Sequence, residues 1–237
     1  MAEPPSEDRT DSLNVAWSDV VRFIRQLSHD LRNHINAIEL QSAYIIELEQ
    51  GDELKTEIKR LHEMVGRLTS TLQSLSKAVS DVKPNLIPYQ AADLAEDLRK
   101  KIDHDFSGES AAIDWNIQVG DAMLNVDPQL LQEAFVELFA NAFRHKPDNG
   151  ALVAIARMDK DRLLFTLQES KSRFDLPTER WAREPLQKIS QGHYGLGLNR
   201  VRAIVEAHGG EIYAQYSPNV SALTTTLVLP TSGDQNA

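Results

Sequence analysis

The sequence predicts an α+β chain: an antiparallel helical hairpin that pairs with a second copy into a dimeric four-helix bundle, followed by a domain of mixed helices and strands. Three observations predict it. Apolar residues recur at a seven-residue period from Ser18 to Val79, Pro84 and Pro88 then interrupt the pattern, and beyond them the period alternates between two and about 3.6. At 237 residues, 41% hydrophobic and 25% charged, the chain has room for one or two domains. A formal charge of −10 argues against nucleic acid or an acidic membrane surface as the main partner. The absence of cysteine excludes disulfides, thiolate metal sites and a cysteine nucleophile. No run of apolar residues reaches the roughly 18 that a membrane span needs. The best candidate, Ala134 to Phe143, is broken by Glu137 and Asn141.

Residues 1–14 are acidic, contain proline and offer almost nothing to bury, so they are expected to form a disordered tail rather than a secretory leader. A cytoplasmic location is the corresponding expectation. Residues 15–83 form the hairpin. In its first helix Ile24, Leu27, Leu31, His34, Ile38, Ile45 and Leu48 fall at spacings of three, four and seven. After the Gly51-Asp52 turn, Leu54, Leu61, Leu68 and Leu75 repeat, with Ile58, Val65, Leu72 and Val79 alongside. Each helix would run roughly 45 Å at 1.5 Å per residue. One pair of helices leaves much of so wide a stripe wet, hence the expected homodimer. A plain dimerisation coiled coil fits the same pattern.

Residues 84–230 change character, and residues 231–237 read as a flexible tail. Ala91 to Ile102 reads as a helix, and Ile113, Trp115, Ile117 and Val119 alternate as a strand does. Asp127-Pro128 opens a helix with an aspartate N-cap and a proline in its first turn, running to about His145. Two alternating segments, 151–157 and 162–168, flank the turn Asp159-Lys160-Asp161. Residues 170–194 are polar and irregular, the length of a lid or binding loop. A helix from Leu196 to Ala207 stops at Gly209-Gly210, and strands near 211–216 and 222–229 close the domain.

The chemistry concentrates in three places. Ser28-His29-Asp30-Leu31-Arg32-Asn33-His34 places His29 with Asn33 and Asn36 on one polar face, opposite the seam, while the same register puts His34 in the bundle core. An outward imidazole beside a carboxylate can hold one ring nitrogen in a hydrogen bond and offer the other as a nucleophile. An exposed His-Asp pair is by itself also an ordinary piece of helix surface. Glu137-Leu138-Phe139-Ala140-Asn141-Ala142-Phe143-Arg144-His145 sets Glu137, Asn141, Arg144 and His145 on one helical side, with Leu138, Phe139 and Ala142 toward a sheet. An asparagine carbonyl suits a Mg²⁺ held mainly by phosphates and water, and Arg144 and His145 suit phosphate oxygens. Gly192-His193-Tyr194-Gly195-Leu196-Gly197-Leu198 leads directly into a helix, where glycines admit an anion to unpaired backbone N–H groups. Each segment alone is matched by a bland reading, as the wet side of a helix or a packing glycine.

In this order and spacing the three segments resemble the core of a two-component sensor histidine kinase: a histidine-phosphotransfer and dimerisation bundle followed by an ATP-binding α/β sandwich of the Bergerat (GHKL) type. The likeness spans about residues 18–230. His29 to Asn33 resembles the phosphoacceptor box, Glu137 to His145 the asparagine box, and Gly192 to Leu198, continuing through Ala207-His208-Gly209-Gly210, the second glycine box. The resemblance implies that His29 accepts the γ-phosphoryl group of ATP and passes it to an aspartate on a response-regulator receiver domain. Asp30 would orient or deprotonate the imidazole, and Asn33 would position a water for dephosphorylating the regulator. Asn141 would ligate Mg²⁺ with help from Glu137, and Gly192, Gly195 and Gly197 would lie along the triphosphate beneath the 170–194 lid.

Two departures qualify the likeness. The family's first glycine box carries an aspartate that reads the adenine amino group, followed by two glycines; here Glu169 stands in the acidic position and Lys171 and Arg173 replace the glycines. His34 stands where the family usually has proline. Three readings follow: an ATP-dependent autokinase served by a separate sensor or upstream phosphodonor, an ATP-independent phosphotransferase working between receiver domains with a degenerate ATP domain, and a non-catalytic dimeric adaptor.

Overall fold

The structure is a computed structural model and describes residues 16–48, 52–145, 150, 152–174, 178, 181–182 and 195–232. The chain divides between Val79 and Ser80 into two compact units.

The first unit is a helical hairpin, α1 (Trp17–Leu48) and α2 (Asp52–Ala78). Its seam follows from two heptad rows. Ile24, Ser28, Leu31, Ile35 and Ser42 of α1 turn inward, and Ile58, Val65 and Leu72 of α2, with Val79 just past its end, are buried at seven-residue intervals. Ile35, Val65 and Leu72, with Leu31 packed alongside, make the apolar centre. Arg25 Nη2 donates to the Val79 carbonyl at 3.0 Å and ties the end of α2 to α1.

This seam corrects the register read from the sequence. Within the chain, Leu27, His34, Ile38 and Ile45 are exposed, and Ser28 and Ile35 take the inner positions instead. A second row on α2, Leu54, Leu61 and Leu68, is 44, 42 and 47% exposed. Periodicity reports that a helix carries two apolar rows; it does not report which row meets the intrachain partner.

The second unit is a five-stranded sheet with helices packed on it. The strands β2 (Ile113–Gln118), β4 (Leu152–Asp159), β5 (Arg162–Ser170), β6 (Glu211–Ser217) and β7 (Ala222–Pro230) stand in the order β2-β4-β5-β7-β6. The β2–β4 pair is parallel and the others are antiparallel. A separate ribbon joins β1 (Ile87–Gln90) to β3 (Met123–Val126), two short strands that carry too little alternation to be read from sequence. Thr231 bridges to Leu124, and Ser232 donates to the Met123 carbonyl, so ordered pairing continues into the segment expected to be a tail.

Three helices, α3 (Ala91–Asp105), α4 (Pro128–Arg144) and α5 (Gly197–Ala207), complete the core. In α4, Leu131, Phe135, Leu138, Phe139 and Ala142 are fully buried at helical spacing. Phe135 meets Phe165 edge-on at 4.6 Å, and Phe139 stacks on Trp115 at 5.5 Å. That packing sends Glu137, Asn141 and Arg144 to the other side of the helix. Asp127 caps α4 as the sequence predicts: Oδ1 accepts from the Gln129 and Leu130 amides and Oδ2 from Asn85. Burial pushes the Asp127 carboxyl up, but these three amides prevail and hold it below the usual aspartate range.

Candidate functional site

His29, Asp30 and Asn33 lie on α1 in the helical unit; the other candidates lie in the second unit. The His29 side chain is 66% exposed, and its Nδ1 lies 3.2 Å from Asp30 Oδ1. Gln26, one turn earlier, donates to the same oxygen at 2.9 Å. The Gln26 bond first, and the His29 bond next, hold the Asp30 carboxyl below its ordinary range, so it is an anion at neutral pH. An Nδ1–H donated to that anion fixes the imidazole tautomer in which Nε2 carries the lone pair. Asn33, one turn on, is also exposed.

In the second unit, two small clusters form. The first joins α4 to the start of α5. Gly195 has φ +64°, a left-handed turn favourable to glycine, and Leu196 follows at the N-cap with no side chain able to cap the helix. The first turn of α5 thus presents backbone N–H groups rather than a capping oxygen. Gly197 sits against the Glu137 carboxylate so closely that a Cβ there would collide with it. Burial pushes the Glu137 carboxyl above its usual range, the Arg144 charge pulls it down, and Glu133 pushes it up again. Asn141 is half-buried one turn beyond Glu137, and Arg144 and His145 are exposed at the helix end.

The second cluster stands at the end of β5. Glu169 is 4% exposed. Lys171 Nζ lies 2.9 Å from Glu169 Oε2, an ion pair, and 3.3 Å from the His145 carbonyl at the end of α4. Burial raises the Glu169 carboxyl and Lys171 lowers it, leaving it above the usual range. Gly192 lies outside the described residues, as does most of the 170–194 segment.

The structure adds residues that motif reading passes over. Arg200 of α5 is buried, with Nε 3.2 Å from Glu133 and Nη1 2.8 Å from the Ser80 carbonyl. The sequence signal for it was a lone cation on the apolar side of a helix. Arg202 donates to the carbonyls of Trp181, Ala182 and Ile212, pinning the Trp181–Ala182 turn to α5. Among the described residues no cluster of three His, Cys, Asp or Glu side chains is placed to hold a metal, and no helix is long and apolar enough to cross a membrane.

Residues 126–232 match the family described as histidine kinase-, DNA gyrase B-, and HSP90-like ATPase. Among curated relatives, the chain is 25% identical over 217 residues to sensor histidine kinase ZraS of Klebsiella oxytoca, covering 88% of this chain and 46% of that one. It is 23% identical over 212 residues to an adaptive-response sensory kinase SasA of a Synechococcus strain, covering 83% and 55% respectively. The chain thus spans about half the length of these relatives. Among solved structures, full-length ShkA in complex with AMPPNP aligns over 89% of this chain and 46% of its own, with a TM-score of 0.66 at 16% identity. Histidine kinase ThkA in complex with response regulator protein TrrA aligns over 92% and 65%, with a TM-score of 0.57 at 14% identity. The alignments run through the helical hairpin as well as the sheet domain: residues 126–232 of the second unit match the histidine kinase-, DNA gyrase B-, and HSP90-like ATPase family, and the chain as a whole is similar to the cores of histidine kinases.

Proposed function

We propose that this chain is a two-component phosphotransfer protein in which His29 is phosphorylated from ATP and donates the phosphoryl group to an aspartate of a response-regulator receiver domain. The observation that carries the proposal is the His29–Asp30 pair: an exposed imidazole whose Nδ1 is engaged at 3.2 Å and whose Nε2 is left for chemistry. Nε2 attacks the γ-phosphorus, an N–P bond forms, and the bond from phosphorus to the bridging oxygen breaks with its electron pair leaving on ADP. Asp30 stabilises the positive charge that develops on the ring. In the second transfer a receiver carboxylate attacks phosphorus and the N–P electron pair returns to Nε2. Asn33, exposed one turn away, would hold a water against the phosphoaspartate in the reverse, phosphatase sense.

The nucleotide belongs to the second unit in this reading. The first turn of α5 and the Gly195 turn receive phosphate oxygens, and Arg144 and His145 add polar contacts. The donor set fits Mg²⁺: Asn141 supplies a hard neutral oxygen and Glu137 a carboxylate one turn away, and among the described residues no cluster of three His, Cys, Asp or Glu side chains makes a self-sufficient metal site. Bound there, the ion would neutralise charge on the transferring phosphoryl group. The helical unit is proposed to dimerise through its exposed leucine row.

The test is incubation with ATP labelled at the γ-phosphate. We expect label that is acid-labile and base-stable, as a phosphoramidate is, that is absent from His29→Gln, and that moves to an added receiver domain. Label retained by His29→Gln would overturn the assignment. A second reading, phosphotransfer between receiver domains without ATP, is favoured by the Glu169–Lys171 ion pair. It predicts that Mg-ATP at millimolar concentration neither binds nor labels, while a phosphorylated receiver labels His29.

A further inference from the structure

We propose that Lys171 is a built-in competitor at the base end of the nucleotide site: its ammonium occupies the Glu169 carboxylate, and an adenine must displace it to be read there. The inference rests on the nucleotide-binding reading above and concerns how that site is regulated. Glu169, 4% exposed, is the one buried acidic side chain among the described residues, and it stands at the end of β5. The Lys171 side chain is itself only 12% exposed, with Nζ 2.9 Å from Glu169 Oε2 and 3.3 Å from the His145 carbonyl. Two anchors on one ammonium make this a placed group rather than a passing surface pair.

The backbone beneath it is also fixed. The Lys171 amide donates to the Ser221 carbonyl at 2.7 Å, and the Tyr216 hydroxyl donates to the Lys171 and Ser172 carbonyls at 3.2 and 3.0 Å. Phe174 packs its ring 5.9 Å from Tyr216. The segment that follows Glu169 is therefore strapped to β6 and to the turn that enters β7, and the strap aims the lysine back over the carboxylate. A 6-amino group can offer that carboxylate only a hydrogen bond from a neutral donor, in exchange for a full counter-charge at 2.9 Å. Adenine therefore binds at a discount set by Lys171, and a neutral side chain at position 171 should remove the discount.

The experiment titrates the whole chain with Mg-ATP and with the Mg salt of purine riboside triphosphate, which lacks the 6-amino group. Lys171→Met should bind Mg-ATP at least about tenfold more tightly than the parent, since the Lys171–Glu169 ion pair no longer has to be broken. Purine riboside triphosphate should show little of this gain, and Lys171→Arg, which keeps the cation, should show none. Glu169→Gln combined with Lys171→Met should lose the preference for the 6-amino group. If Lys171→Met fails to fold, Lys171→Gln drops the charge while keeping a donor and should give the same ordering with a smaller gain. Folded variants that bind ATP no better than the parent, or that gain equally for both nucleotides, overturn the role of Lys171 while leaving the nucleotide site standing. Failure of the parent and every variant to bind either nucleotide overturns both.

Discussion

Gly197 and Glu137 interlock: the first residue of α5 lies against the carboxylate in the middle of α4, in a space that admits hydrogen and no carbon. A β-carbon at 197 must push Glu137 aside or lift the start of α5 from α4. Gly197→Ala should therefore lower stability by about 1–3 kcal/mol, the usual cost of overpacking, and weaken Mg-nucleotide binding. The measurement is chemical denaturation followed by nucleotide titration. Adding Glu137→Ala should restore most of the stability, because the colliding group is then gone. An additive double variant would show that the two residues do not share this space.

The same carboxylate has a pH signature. Glu137 is held above the ordinary glutamate range chiefly by burial. A raised folded-state pKa means that the native state binds this proton more tightly than the unfolded chain does. The ionised group thus opposes folding at pH above its folded pKa, and the opposition fades as pH falls toward about 4.3, the unfolded value. Glu137→Gln should melt higher than the parent at pH 8, and the two melting temperatures should converge as pH approaches that value. A difference that stays constant with pH would assign the effect to packing instead.

His208 is a structural joint. It is buried at the end of α5, with Nδ1 donating to the Ile204 carbonyl at 2.7 Å and Nε2 accepting from the Asp127 amide at 3.0 Å. It thereby connects the C-terminal end of α5 to the cap of α4. His208→Ala leaves that amide without its acceptor and opens a cavity, so stability should fall by about 2–4 kcal/mol. Urea denaturation reads this directly, and a loss under 1 kcal/mol would mean that neither hydrogen bond matters.

The leucine row of α2 predicts the oligomer. Leu61 and Leu68 are on the face that α1 does not cover. In a two-fold dimer each substitution removes two buried leucines, each side chain worth roughly 1.5–3 kcal/mol. Leu61→Glu with Leu68→Glu should raise the dimer dissociation constant at least on the order of 100-fold, with the Ile58, Val65 and Leu72 seam intact. Analytical ultracentrifugation should find dimer for the parent and monomer for the variant. His34 shares the exposed side of α1, so its replacement should alter dimer stability more than phosphotransfer.

What the sequence determined by itself is what short-range rules govern. Heptads specify a helix pair, Asp127-Pro128 starts α4, and alternation marks β4 and β5, because each signal is written within a few residues of the element it makes. His29, Glu137, Asn141 and the Gly195-Gly197 turn were visible for the same reason, as spaced motifs. Only the tertiary structure decided which heptad row α2 covers, and it chose Ser28 and Ile35 over Leu27 and His34. It alone paired β1 with β3 across more than 30 residues, put Lys171 on Glu169, and sank Arg200 beside Glu133. These pairings join groups whose separation along the chain says nothing about their separation in space, and they exist because a buried charge or an unpaired amide must find its partner wherever the fold has carried one.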